Sequence, residues 1–578
     1  MSSEKSLGEA GVTVETLWSS GMALRIVLSN LPFLAALLLN GWLPSPIETL
    51  VVGAILLLVP GLAWTDHRRG DAAIVLFRAA VASLVAALAV ILVLMLVGAP
   101  AHRSAFLIIL ALTTNAGILL GHRKGWFDAN PFADPMPRLI SAIAALFLLQ
   151  SYLGAAYFVP ALEDQDMETQ GTAYGLMHEL APTMVTNRQT SYFFAHPLLL
   201  HVWIGESALI SDDLGRLKYH DEASLAVRND PTVSTIEAQW KKAYAQFEKD
   251  PVLLPTRTPN IVLGALTLFP MGFLVFLLTG SRFAALGACV MYMTLPEIYV
   301  RTSYGGYLAV TNFFLLSGAY FYLLASGLLP QRGMVGTHAS IGRSTWAAAF
   351  LGGWTDQKFL LLPMAAPFHA GIKALLDLPS LVSGGLQHLV RALLARPYVI
   401  AGLLIGTGFV AGWMTFAAYG LLVAPEDFIQ DHLKSHIWWR LNKVANVNLT
   451  RVEQGGFVYP SVLALWQQFA DHTGWLLVPP MILGLVFAVP RVREAYGLLL
   501  IWAVVGIVGF SLVDWRQTKH LAHILPPLVM LAAIYWASLK GPARSLLGGL
   551  IAIAIAWNVW RIILLMNDFE YLKPLPIW

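Results

Sequence analysis

The sequence predicts an all-α polytopic membrane protein with about fourteen or fifteen transmembrane helices and two folded regions on one side of the membrane. The first observation behind this is composition. Charged residues make up 12% of the 578 residues and hydrophobic residues 57%, and the mean hydropathy is +0.64, whereas an ordinary globular chain is about 25% charged. Such a chain cannot cover a water-facing surface with polar groups, so a bilayer is its main solvent. Second, apolar runs near the ~20 residues that span hydrocarbon recur along the whole length. Third, only two polar interruptions, 160–259 and 424–474, are too long to be turns. The composition excludes a secreted soluble domain, a disordered chain and a disulfide scaffold. The balance of 37 Lys+Arg against 34 Asp+Glu is too even for a nucleic-acid surface.

Met1–Ser19 carries Glu4, Glu9 and Glu15 and shows no cleavage-like site, so no removable signal peptide is expected. The spans then read Ala23–Leu43, Ile47–Trp64, Ala72–Val97 and Ala105–Leu120, which form a four-helix extension within 1–125. The remainder, 126–578, carries Leu139–Val159, Ile261–Leu278, Phe283–Leu295, Leu308–Leu329, Thr345–Phe368, Val399–Val423, Leu476–Val489, Gly497–Val513, Leu521–Leu539 and Leu546–Leu565. Arg68, Arg69, Arg123, Lys124, Arg282, Arg332, Arg343, Arg391, Arg396, Arg491, Arg493, Lys540 and Arg544 all fall on one side when loops alternate, and the positive-inside rule makes that side cytoplasmic. The alternation requires Thr345–Phe368 to go out and back as two short helices. Both long polar segments then lie outside. The single cysteine, Cys289, sits in an apolar run and reads as packing.

Candidate chemistry collects on the outer side. The first outer segment opens with Glu163-Asp164-Gln165-Asp166-Met167-Glu168, a concentrated negative site at a helix end. It suits a base, a cation or a hydroxyl substrate, and competes with a plain solvated terminus. His196, in Phe194-Ala195-His196-Pro197-Leu198, can orient a substrate or carry a proton, or simply occupy a turn before proline. Arg301, Lys358, Arg516 and Lys519 are cations on the side that should lack them. A phosphate at the outer interface accounts for all four, against the alternative of snorkelling to headgroups. In the second outer segment Phe428, His432, Leu433, His436 and Arg440 recur at helical spacing. Trp438 and Trp439 suit an interfacial belt, and no His spacing matches a zinc site.

In this order the motifs resemble the multi-spanning glycosyltransferases of the C-type fold that use polyprenyl-phosphate sugars, above all the lipid A aminoarabinose transferases and protein O-mannosyltransferases. Asp164 and Asp166 follow a membrane helix as that family's acidic motif does, though the usual Asp-Glu pair is absent. His196-Pro197-Leu198-Leu199 is similar to its Lys-Pro-Pro-Leu motif, with histidine in place of lysine. Pro296–Tyr307, including Glu297 and Arg301, resembles its short outer turn. Pro425, Asp427, Phe428, His436 and Arg440 match a Pro-x-Asp-Phe…His…Arg segment, and Lys519-His520…Ile524-Leu525-Pro526 a late Lys…Ile-Leu-Pro motif. The likeness covers about 136–536, and the first four spans have no counterpart in it.

The resemblance implies sugar transfer from a polyprenyl-phosphate donor to a lipid, glycan or protein hydroxyl, with inversion, at the outer face of the cytoplasmic membrane. Asp166 or Asp164 would be the base. Arg516, Lys519 and Arg301 would hold the phosphate, and His196, Glu297, Lys358, His436, Arg440 and His520 would line the substrate. Asp164-x-Asp166 also has a spacing by which some C-type enzymes hold Mg²⁺ or Mn²⁺. The better-matching relatives need no metal, and neither metal nor other cofactor is assigned. A lipid-linked glycan flippase and a non-catalytic envelope scaffold are the competing classes. A flippase needs polar residues through the hydrocarbon depth, and these spans carry few.

Overall fold

The computed structural model describes residues 20–128, 130, 137–156, 164–186, 189–192, 194, 196–217, 253–303, 306–329, 338–377, 385–438, 452–454, 457–459, 461–512 and 518–567. Within them the chain is a helical membrane protein. Two antiparallel hairpins are its extended structure, β1 (Thr183–Thr186) with β2 (Gln189–Tyr192) and β3 (Val452–Gln454) with β4 (Phe457–Tyr459).

The helices come in chain order as α1 (Ser20–Leu38), α2 (Ser45–Trp64, with a π-turn at Ala54–Leu58), α3 (Ala72–Leu96), α4 (Arg103–Arg123) and α5 (Pro137–Ala156). The first long polar segment supplies α6 (Asp164–Glu179) and α7 (Leu199–Ile210). Next are α8 (Leu253–Leu266), α9 (Leu268–Thr279), α10 (Arg282–Met293), α11 (Pro296–Thr302), α12 (Leu308–Ala325), α13 (His338–Gly352), α14 (Leu361–Asp377), α15 (Gly385–Leu394) and α16 (Pro397–Val423). The second long polar segment gives α17 (Pro425–Phe428), which runs into a π-helix at Ile429–Trp438, and then α18 (Val462–Thr473). The chain closes with α19 (Val478–Ala488), α20 (Ala495–Leu512), α21 (Thr518–Leu521), α22 (Leu525–Ser538) and α23 (Gly541–Asn567).

Among the described residues 11 helices are long and apolar enough to cross a membrane, or 13 if each of two bent pairs is one span. The sequence predicts about fourteen or fifteen spans; beyond the 13, α22 is a shorter apolar helix of 14 residues, and α13 has 15 residues. Thr345–Phe368 divides as expected, because Gly352 ends α13 and a 3₁₀ turn at Gln357–Leu360 leads into α14. The π-helix is a departure from the α-helical spacing read in Phe428–Arg440, and it widens the turn so that Phe428 and His432 stack with centroids 5.3 Å apart.

Close helix approach is bought with glycine at one crossing above all. Gly408 and Gly412 on α16 form a small-xxx-small step against α13. A Cβ on Gly412 would strike the carbonyl of Phe350, and one on Gly408 would lie 2.6 Å from that of Trp346. A single buried apolar cluster runs from Phe33 to Ala554, so the four-helix extension shares the core of the rest. Its α2 packs against α5 and α8.

The two ends of the bundle are tied separately. At the Lys/Arg-rich end, Arg78 donates to Ser340 and Ser344, Tyr320 to Asp71, and Tyr496 to the Leu278 carbonyl. At the other, Arg103 Nε donates to Ile210 O at 2.8 Å and Tyr419 Oη to Leu180 O at 2.5 Å, while the Leu199 N–H meets Trp354 O at 3.1 Å. His432 bridges the two polar segments: Nδ1 lies 3.2 Å from Phe194 O, and Trp413 Nε1 donates to Nε2 at 3.3 Å. Phe194, Phe416 and Phe428 pack edge to face around this bridge. The described parts of both long polar segments therefore cap one and the same end.

Candidate functional site

The two sharply bent helix pairs meet at that capped end. Between α10 and α11 the axis turns by 69°, and between α18 and Trp475–Arg491 by 95°. Thr294 and Leu295 break the first pair, and Pro296 at N1 starts α11 anew. Gly474, at φ +86°, breaks the second. α11 and α18 then pack on one another.

Their contact buries charge. Arg301 Nε donates to Glu297 Oε1 at 2.9 Å across one turn of α11, and His472 Nδ1 of α18 lies 3.3 Å from Glu297 Oε2. Arg301 is 1% exposed and Glu297 3%. Both residues belong to the turn singled out in the sequence. The structure adds His472, and it pairs Arg301 with a carboxylate of its own helix.

A second polar group lies at the mouth of α14. Lys358 Nζ meets Asp356 Oδ2 at 2.6 Å, and Asp356 also accepts from the Lys358 N–H as the cap of the 3₁₀ turn. His523 lies within the field of both charges, and its Nδ1 faces Asn312 Oδ1 at 2.9 Å, with Asn312 donating to Tyr292. The third group stacks His196 on Tyr307 with centroids 4.4 Å apart, and Tyr307 Oη lies 3.1 Å from His201 Nε2. His520 packs on Phe510.

The remaining predicted residues are only partly placed. The backbone puts Asp164 and Asp166 in the first turn of α6, Lys519 in α21 and His436 in the π-helix. Arg516 and Arg440 lie outside the described residues. Among the described residues no group of three or more His, Cys, Asp or Glu is arranged to hold a metal ion.

Several buried polar residues had no sequence-level assignment: Arg257 at the start of the α8–α9 span, Asp356, His472, His523 and Glu206. Neither carboxyl oxygen of Glu206, on α7, is hydrogen-bonded to a described residue, and burial raises this carboxyl well above its ordinary range. Burial likewise raises Asp431 of the π-helix, with Asp427 adding to the effect and the Phe194 N–H opposing it.

Beside the ion cluster runs an apolar groove of about 490 Å³ between α18, α19, α20 and α22, lined by Trp466, Phe469, Trp475, Met481, Ile507 and Leu528. α18 forms one wall, carries His472 at its end, and packs against α21, which bears Lys519. One short helix therefore touches the groove, the buried charges and the predicted phosphate-binding element.

The chain is similar to the crystal structure of ArnT from Cupriavidus metallidurans bound to undecaprenyl phosphate, at 13% sequence identity and a TM-score of 0.45. The likeness covers 72% of this chain, which spans 63% of that one. No family model matches the chain, and no curated protein matches it.

Proposed function

We propose that this protein is a membrane glycosyltransferase that moves a sugar from a polyprenyl-phosphate donor to an acceptor hydroxyl at the capped end of the bundle. The observation that carries the reading is the joining, by α18, of an apolar groove to buried and interfacial charge. A lipid-phosphate donor requires that pairing: an apolar channel for the chain and cations where the phosphate departs. The ordered motifs of the sequence support the same class.

In this mechanism the prenyl chain lies along Trp466, Phe469 and Trp475. Asp164 or Asp166 takes the proton from the acceptor hydroxyl. Its oxygen attacks the anomeric carbon, the bond from that carbon to the phosphate oxygen breaks, and polyprenyl phosphate leaves with the electron pair. Lys519 and Arg516 stabilise the charge on the departing phosphate. Arg301, held by Glu297, contributes its positive field from below. His196, Lys358, His436, Arg440 and His520 line the sugar and acceptor. The capping segments exclude water and so limit donor hydrolysis. The capped end faces the periplasm or cell exterior, and the carboxylates work without a metal.

Purified protein in nanodiscs, given synthetic polyprenyl-phosphate aminoarabinose or mannose and an envelope lipid extract, tests this. Free polyprenyl phosphate should be released, and Asp164→Asn or Asp166→Asn should slow release by about two orders of magnitude. Lys519→Gln should weaken donor binding by roughly 1.5–3 kcal/mol. Movement of the intact donor across the bilayer without cleavage would replace the enzyme by a flippase.

A further inference from the structure

The four-helix extension meets the rest of the bundle along a groove at the Lys/Arg-rich end, about 650 Å³ in volume, between α3 and α13 with α4 at its side. Its upper end is cationic. Arg78 of α3 holds α13 directly, through Ser344 Oγ at 3.1 Å and Ser340 Oγ at 2.6 Å, and its Nη1 donates to Arg69 O at 2.7 Å. Arg69 and Arg343 line the same end with exposed side chains. Asp66, 2.8 Å from Arg69, is the one acidic residue among the lining. Three guanidiniums thus face one carboxylate, beside two serine hydroxyls.

Below this level the lining is apolar. Val81, Ala82, Val85, Ala86 and Ala89 recur at helical spacing down one face of α3. From Arg78 to Ala89 the helix rises about 16 Å, half the ~30 Å of hydrocarbon in a bilayer. A cationic rim above an apolar gutter one leaflet deep has the shape and charge of a single lipid.

We propose that this groove binds one anionic phospholipid, its phosphate at Arg69, Arg78 and Arg343 and an acyl chain along Val81–Ala89, so that lipid completes the joint between the extension and α13. The site is independent of the glycosyltransferase reading. Basic pockets between membrane helices recognise anionic headgroups through this chemistry.

The test uses the full-length protein in nanodiscs of equal phosphatidylglycerol and phosphatidylcholine, with retained lipid read by native mass spectrometry. Phosphatidylglycerol should be retained selectively. The double variant Arg69→Gln/Arg343→Gln changes two exposed side chains, spares Arg78, and should weaken that retention about twenty-fivefold, from about fivefold per arginine. Ala89→Trp, at an exposed position, should block the gutter and lower retention with every arginine intact. Equal retention of both lipids by the wild type, or unchanged selectivity in the double variant, overturns the proposal. Displacement of the lipid by inorganic phosphate, with Ala89→Trp without effect, reduces the groove to an anion site and overturns it equally.

Discussion

Replacing Arg301 by methionine tests whether the buried cluster is held together as its geometry says. Glu297 is 3% exposed and its Oε1 accepts from Arg301 Nε at 2.9 Å. Removing the guanidinium leaves the carboxylate buried with the His472 ring, 3.3 Å away, as its polar neighbour. Breaking a buried pair in this way costs about 3–5 kcal/mol, whereas replacing both partners by apolar side chains of similar volume is close to neutral. Arg301→Met should therefore unfold well before wild type on titration with dodecyl sulfate in mixed micelles, and so should Glu297→Leu. The double variant Glu297→Leu/Arg301→Met should recover most of the loss, giving a coupling of about 3 kcal/mol. Additive losses in the cycle, or an Arg301→Met protein as stable as wild type, would refute the pair as a structural unit. Donor binding by the stable double variant then measures what the Glu297–Arg301 pair contributes to the site.

Further expectations follow from other parts of the molecule. Glu206 is 0% exposed and burial holds its carboxyl neutral, above the ordinary 4.5. Because the unfolded carboxyl ionises first, stability is complete below about pH 4.5 and falls as pH rises, by up to about 1.4 kcal/mol per unit, until Glu206 ionises in the folded protein. Unfolding midpoints measured as pH rises above 4.5 should fall in wild type and stay flatter in Glu206→Gln; equal slopes would remove Glu206 as the source. Gly412→Leu should lower thermal stability by at least about 1–3 kcal/mol through overpacking against Phe350, and a neutral effect would mean α13 and α16 can move apart. Cys289 is fully buried, so cysteines placed at Gly215 and Lys540 report topology alone. An impermeant maleimide should label Gly215→Cys in spheroplasts and spare Lys540→Cys, and the reverse pattern would invert the orientation.

The spans were legible because hydrocarbon demands long apolar runs whatever they pack against. The buried charges were not, since burial depends on which helices meet. Arg257 sits between Pro255 and Pro259 and reads as the end of a polar loop, yet it is 0% exposed. Helix α18 lay hidden inside the second polar segment, although its signal was present: Ser461 caps it by accepting from the Ala464 N–H, and Val462, Leu465, Trp466, Phe469 and Ala470 follow at helical spacing. Glu297 and Arg301 were recognisable as charges out of place, but four residues apart on a helix they also suit each other, and sequence alone does not say whether such a pair faces water or protein.

The placement of that pair bears on function through its energetics. A buried ion pair adds little stability over an apolar replacement of the same shape, so stability alone gives no reason to set Glu297, Arg301 and His472 where the spanning helices break. Breaks in membrane helices are themselves costly unless neighbouring protein satisfies the freed backbone groups. Here both breaks occur at the capped end, they bring α11 and α18 together, and the charges sit at their contact. A straight α18–α19 could not both wall the apolar groove and turn His472 toward Glu297. The 95° bend achieves both, setting a fixed charge array beside an apolar channel. That arrangement suits the proposed donor, with its charged head and long apolar tail.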